Sequence, residues 1–244
     1  MKQTGILICV PAFGQSMCSL TGQSLFNVAV RLSHPACKIN LPVSMCTMSA
    51  AEIAEVRNLF LTTWYDGPHK HFSHMLFVDA DMEFPAELVL DMIKFNKPLM
   101  GCLYAKRMYP AKAVGRCFDE DQTVDDIKQG FIKVAGVGGG VMMISREVVT
   151  QMIAKYPEIV DNDVSNHPGA ELLGGRLIRA FDPFVSKNGQ RLSEDLAFCE
   201  RWTNCGGEVW ANVNHLIGHI GPHNFAIRYA DFLENKAAKA QEAA

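Results

Sequence analysis

Short apolar runs alternate with longer segments of helical periodicity through the first half of this 244-residue chain, and that alternation restricts its fold more than any other feature. Ile6 to Val10 is an unbroken apolar run stopped by Pro11-Ala12-Phe13-Gly14, the pattern of a buried strand that delivers a loop. Ser16 to Leu32 then repeats its apolar residues at helical spacing, and Lys38 to Met45 reads as a second strand. A further helical pattern starts at Met48-Ser49-Ala50-Ala51-Glu52 and continues through Ile53, Val56, Leu59 and Phe60. His74 to Val78 is a third strand running straight into Asp79-Ala80-Asp81, after which Pro85 suits the first turn of a helix carrying Leu88, Val89 and Met92. Strands and helices in this order predict an α/β domain: a mixed, mostly parallel sheet flanked by helices, with a Rossmann-like first half.

The second half is more mixed. Leu99 to Tyr104 reads as a strand, followed by the basic loop Ala105-Lys106-Arg107-Met108-Tyr109-Pro110, and Asp119 to Asp126 is an exposed acidic stretch. Ile132 to Ala135 and Val141 to Ile144 flank Gly136-Val137-Gly138-Gly139-Gly140, and Ser145-Arg146-Glu147 caps a helix through Val148, Met152 and Ile153. Glu158 to Gly175 has little periodicity and reads as an excursion or mobile loop before Ile178 to Val185. Ser193 caps a helix that begins Glu194-Asp195-Leu196, and Gly218 to His223 is a Gly/Pro turn rich in histidine. With neither an internal repeat nor a linker, we expect one domain over residues 1–233 and a fraying helical tail over 234–244.

Composition narrows the function classes. At 48% hydrophobic and 20% charged the chain has the makings of a folded core, and a net charge of −3 gives no general attraction to phosphate backbones or anionic lipid. The eight cysteines are scattered without a C-x-x-C pair, as expected of free thiols in a reducing compartment. Pro11 cuts the first apolar run shorter than a leader's, and no stretch reaches the roughly 18 apolar residues of a membrane span. We therefore expect a cytoplasmic protein with no membrane span.

Two carboxylates at the carboxyl end of a buried strand stand where open α/β sheets bind ligands, and Asp79 and Asp81 share a side if the chain stays extended. Such a pair suits Mg²⁺ or Mn²⁺ together with phosphate oxygens; the plainer reading is an acidic turn that helps start the helix at Pro85. Glu194-Asp195 would likewise complement a helix dipole, or supply a carboxylate that takes a proton. His219 is a third candidate metal ligand and His223 its understudy, whereas His69, His71 and His74 fit a loop before a strand. The glycine run lacks the Lys-Ser/Thr of a phosphate loop and reads as space for a sugar or acceptor, or as a bulge. Lys106, Arg107 and Arg116 could steer anions or simply be solvated, and the three tryptophans suit the core.

In combination these places resemble the metal-dependent glycosyltransferases of the GT-A fold, whose Asp-x-Asp motif ends a central strand. The resemblance lies in order and spacing over Ile6 to His223: Pro11-Ala12-Phe13 after the first strand, Arg57-Asn58, Asp79-Ala80-Asp81, Gly138 to Arg146, Ser193-Glu194-Asp195 and the late His219. It implies nucleotide contacts at Pro11, Ala12, Phe13, Arg57, Asn58, Asp79, Ala80, Gly139 and Gly140, and an Mn²⁺ or Mg²⁺ ion on Asp79, Asp81 and His219. It further implies a general base in Glu194-Asp195, with Asp195 ahead, and an inverting transfer of a sugar from a nucleotide-sugar to a hydroxyl. The default donor is a UDP-sugar; saccharide, protein, lipid and modified nucleic-acid base all remain open as acceptor. The alternatives are a nucleotidyltransferase, against which the first loop lacks a basic glycine-rich signature, and a non-enzymatic nucleotide-sugar-binding module.

Overall fold

The computed structural model describes residues 4–39, 41–110, 112–117, 122–165, 167 and 173–242. In chain order the first half runs β1 (Ile6–Pro11), α1 (Ser19–Ser33), β2 (Val43–Met48), α2 (Ile53–Tyr65), β3 (His74–Val78), β4 (Met82–Glu83), α3 (Ala86–Phe95), β5 (Leu99–Cys102), β6 (Tyr104–Ala105) and β7 (Ala113–Val114). The second half continues with β8 (Phe131–Val134), β9 (Val141–Ser145), α4 (Arg146–Lys155), β10 (Val160–Asp161), β11 (Leu177–Ile178), α5 (Glu194–Asn204), β12 (Val209–Asn212), β13 (Ile217–Ile220), β14 (Asn224–Ile227) and α6 (Tyr229–Glu242).

Among the described residues seven strands form the main sheet in the order β2-β1-β3-β9-β5-β12-β8. β1 lies parallel to β2 and β3, and β5 parallel to β12, while β9 and β8 run against their neighbours. Every residue of β1 and β3 is buried because both faces of the sheet are covered, which is why these strands read as continuous apolar runs. Alternate side chains feed two cores. Leu7, Cys9 and Phe77 pack with Phe60 and Trp64 of α2, Val148 and Met152 of α4 and Phe198 of α5. Ile6, Ile8, Val10 and Val78 pack on the other face with Leu25 and Val28 of α1 and Leu88 and Met92 of α3.

The departures from the sequence reading are local. The second strand lies at Val43–Met48 rather than Lys38 to Met45, as an edge strand whose register, Ile6 opposite Val43, is set by β1; Asn40 lies outside the described residues. α1 begins at Ser19, not Ser16, because the Cys18 amide donates to the Ala80 carbonyl at 2.8 Å and holds the approach extended. The run Leu99 to Tyr104 divides at Leu103, so that β5 stays in the main sheet while β6 turns away to pair with β7. Of the acidic stretch, Asp119, Glu120 and Asp121 lie outside the described residues, as do residues 166 and 168–172 of the excursion. Just past the excursion, a two-pronged Arg176–Asp66 pair at 2.8 and 3.0 Å ties the chain to the end of α2. Residues 234–242 continue a helix that starts at Tyr229, and Ala243 and Ala244 lie outside the description. No helix among the described residues is long and apolar enough to cross a membrane.

Candidate active site

The chain leaves β3 at the carboxyl end of the parallel strands, and there its backbone is tied on both sides. The Asp79 amide donates to the Gly140 carbonyl at 2.9 Å, the Ala80 carbonyl accepts from the Cys18 amide and the Thr21 hydroxyl, and the Asp81 carbonyl accepts from the Ile220 amide at 2.8 Å. These bonds lash the Asp-x-Asp turn to the first loop on one side and to β13 on the other.

The two carboxylates diverge toward different cations. Asp79 Oδ1 accepts from Arg57 Nη2 at 2.8 Å. Asp81 Oδ2 pairs with Arg107 Nη2, and His219 Nε2 stands 3.7 Å from that same oxygen. His219 Nδ1 lies 2.9 Å from the Ala105 carbonyl, which can only accept, so Nδ1 carries the proton and Nε2 presents its lone pair toward Asp81. Burial first, and then the charge of Arg107, lower the imidazole's pKa despite that hydrogen bond and the charge of Asp79, which favours the neutral ring. The edge-on ring of Tyr104, centred 5.3 Å from the imidazole, completes its setting.

Behind this pair lies a second cluster built around Arg57. Its guanidinium is 1% exposed, reaches the Gly139 carbonyl at 3.3 Å and stands with Nε 3.6 Å from Glu194. Burial opposes its charge, but Asp79, Glu194 and Asp195 together outweigh that and hold its pKa above the usual value. The carboxyl of Glu194 is pushed up by burial and by Asp195, against the pull of Arg57. Asp195 Oδ1 accepts from the Leu196 amide at 2.7 Å and from the Ser193 hydroxyl, while its Oδ2 receives, among the described residues, a long bond of 3.3 Å from the Gly139 amide. The glycine run makes room for protein side chains: a Cβ on Gly139 would fall 2.4 Å from Arg57 Nη2, and one on Gly140 would fall 2.7 Å from the Tyr104 ring. The space expected there for a sugar or acceptor is thus filled by Arg57 and Tyr104.

Pro11, Phe13, Met17, Cys18, Ile53, Asp79, Ala80, Asp81, Tyr104 and His219 line a cleft of about 470 Å³. A hollow of about 150 Å³ adjoins it, sharing Pro11, Phe13 and Ile53 and adding Ala12 and Met48. Phe13, 76% exposed, projects at the rim. Of the residues expected at the site, Asn58 is turned elsewhere. It is fully buried, its amide donating to Asp182 at 2.6 Å and accepting from the Phe181 amide at 2.8 Å, so it fastens α2 to the segment after β11. Arg57, Glu194, Asp195, Gly139 and Gly140 do not line the cleft; they form the layer behind Asp79 and Tyr104.

Two residues that the sequence does not single out also belong to the site, Tyr104 and Arg107. Tyr104 is 5% exposed and accepts from the Gly140 amide at 3.2 Å; its phenol pKa is raised well above the usual value by burial, then by Asp79 and Asp195. A polar-tipped aromatic ending an apolar strand just before a basic loop is the signal that was present. Among the described residues no three His, Cys, Asp or Glu side chains are gathered closely enough to hold a metal as they stand. An arginine pairs with each carboxylate. Carboxylates and a neutral imidazole are nonetheless donor types that suit Mn²⁺, and Asp81 and His219 already face one another.

No protein-family model and no curated protein matches the sequence. Among solved structures, the chain is similar to the crystal structure of GalNAc-T7 with UDP, GalNAc and Mn²⁺, with a TM-score of 0.50 and 12% identity over 90% of this chain and 43% of that one. The fold is GT-A-like. The chain thus spans less than half the length of that glycosyltransferase. A second match, A197 from STIV, has a TM-score of 0.48 and 14% identity over 93% of this chain and 91% of that one.

Proposed function

We propose that this GT-A-like domain is a metal-dependent glycosyltransferase that moves a sugar from a nucleotide-diphosphate sugar, by default a UDP-sugar, to a hydroxyl acceptor with inversion. The observation that carries the reading is the meeting of Asp81 and His219, 3.7 Å apart, in a cleft that the first loop also lines. Asp79, Asp81 and His219 would hold Mn²⁺ or Mg²⁺, which neutralises the diphosphate as its bond to the sugar breaks. Pro11 to Phe13 line the adjoining hollow, where Phe13 offers an exposed aromatic face to the base. The bond of His219 Nδ1 to the Ala105 carbonyl fixes the tautomer that leaves Nε2 as the ligating nitrogen.

For direct displacement the acceptor hydroxyl must lose its proton as its oxygen attacks the anomeric carbon and the diphosphate departs. Asp195 is the base in this reading, through Oδ2, whose bond to Gly139 is long at 3.3 Å; Glu194, turned to Arg57, is the positioning partner. A raised carboxyl pKa also suits a proton acceptor, so Glu194 is the control.

The first test is a panel of nucleotide-sugars with Mn²⁺ or Mg²⁺, read by thermal shift and then by release of nucleoside diphosphate. A metal-dependent shift and slow hydrolysis of one donor are expected; a panel with neither effect sinks the proposal. A metal-dependent shift without release in the presence of acceptors would leave a binding module, and pyrophosphate release from a nucleoside triphosphate would make a nucleotidyltransferase. With an acceptor in hand, Asp195→Asn should keep donor affinity and lose at least about a hundredfold in single-turnover transfer. Normal transfer by Asp195→Asn beside a dead Glu194→Gln would move the base to Glu194.

A further inference from the structure

Arg107 stands where the proposed metal would have to enter. It lies on the loop between β6 and β7, its guanidinium pairs with Asp81 Oδ2, and His219 Nε2 points at that same oxygen from 3.7 Å. The side chain reaches this position across the turn after β13, where a Cβ on Gly221 would come within 3.0 Å of its Cδ. The two donors that face one another thus have an internal cation at their shared oxygen. A divalent ion and a guanidinium cannot both occupy one carboxylate oxygen without strong like-charge repulsion, so they compete for it.

The competition is open to adjustment because the pair is accessible, with side chains 41% and 27% exposed for Arg107 and Asp81. An ion pair of that exposure is worth little on its own, so a better partner can draw the guanidinium off. Phosphate oxygens are such a partner, since they accept from arginine in the two-pronged geometry that a carboxylate also offers while carrying more charge. Lys106 and Lys112 flank Arg107 on the same loop, whose described residues include no acid. The loop that carries Arg107 to the cleft thus holds three cations.

We propose that Arg107 is a built-in counter-cation that keeps Asp81 and His219 closed to a divalent ion until a polyphosphate ligand draws it away. The inference rests on the metal reading above and deepens it: metal and nucleotide bind with mutual reinforcement because one residue releases the first and receives the second.

The test uses the full chain, with Mn²⁺ affinity read from the electron-spin signal of free Mn²⁺, without and with UDP. Arg107→Ala should bind Mn²⁺ alone about tenfold more tightly than wild type, a change of about 1.4 kcal/mol. At saturating Mn²⁺ the same variant should bind UDP more weakly, and the enhancement of each ligand by the other should shrink. Arg107→Gln retains the stem that packs on Gly221 and should behave as Arg107→Ala does. If wild type binds Mn²⁺ and both variants bind it no more tightly, this inference falls and the metal reading stands. If neither wild type nor variants bind Mn²⁺, with or without UDP, both fall together.

Discussion

Asp79 and Asp81 are two residues apart, each paired with an arginine, yet the two pairs belong to different physical regimes. Arg57 comes from inside α2, is 1% exposed, and is held by Asp79, the Gly139 carbonyl and the nearby Glu194. Arg107 comes from a loop, is 41% exposed, and meets Asp81 at the cleft. Removing one partner of a buried pair leaves a charge that water cannot reach, whereas an exposed pair hands its charges back to solvent. The inner cation is therefore a fixed part of the fold, and the outer cation can respond to a ligand.

The largest effect is expected at the inner pair. Arg57→Met, close in volume and without charge, should lower the unfolding free energy by about 1 to 3 kcal/mol, since it leaves Glu194, 17% exposed, and Asp79, 30% exposed, without their cation. Urea denaturation measures this. Its pH dependence has a definite sign. Glu194 has a raised carboxyl pKa in the folded state, so its protonation favours folding; that contribution is fully present below its unfolded value and fades as pH rises through the raised one. Without Arg57 the carboxyl should rise further, and the deficit should be larger at pH 8 than at pH 5. A loss under about 1 kcal/mol would place the inner pair in the same class as the outer one.

The difference between the two pairs was only half legible in the sequence. The strand His74 to Val78 and the acids after it could be read directly, because a strand buried on both faces shows its whole length as apolar residues and must end in polar ones. The α/β layering followed from the same periodicities. Where Arg57 and Asn58 point was not legible: both sit on a helix whose buried face is widened by the segment around Phe181, far away in the chain. Spacing within α2 cannot reveal a cover supplied from a region with little periodicity of its own. The glycine run was visible as a close approach, but its guests, Arg57 and Tyr104, come from other elements. Arg107 looked like any loop cation, since only the turn of β13 brings His219 to the oxygen that Arg107 holds.

A smaller effect tests how tightly the inner pair is packed. Gly139→Ala adds one methyl group that would lie 2.4 to 2.8 Å from three atoms of the Arg57 guanidinium. Arg57 is anchored on several sides, so the strain should cost about 1 to 3 kcal/mol in unfolding free energy, the range for overpacking a filled interior. Gly174, by contrast, has nothing within 4 Å of its Cβ position, but its φ of +62° makes it a poor comparison because strain enters through the backbone there. A cleaner control is Gly22→Ala on α1, whose nearest neighbour would be the Met17 methyl at 3.5 Å, an ordinary contact. If Gly139→Ala is as harmless as that control, the guanidinium is free to shift and the inner pair is less fixed than its burial indicates.

The smallest change in stability is expected from Asp81→Asn, and it is the one that separates the two regions most sharply. The amide keeps the size of the side chain and gives up its charge, so Arg107 loses its partner but remains 41% exposed, where water can solvate it. His219 keeps its bond to the Ala105 carbonyl, because that bond uses Nδ1 and not the nitrogen facing Asp81. The Asp81 carbonyl still accepts from the Ile220 amide, so the tie to β13 survives as well. The unfolding free energy should therefore move by less than about 1 kcal/mol, in contrast to the cost at Arg57. Mn²⁺ affinity should fall steeply in the same protein, since a neutral amide oxygen is a much weaker ligand for a hard cation than a carboxylate. A stability loss above about 2 kcal/mol would mean that the outer pair is as structural as the inner one, and the division between a fixed and a responsive arginine would fail.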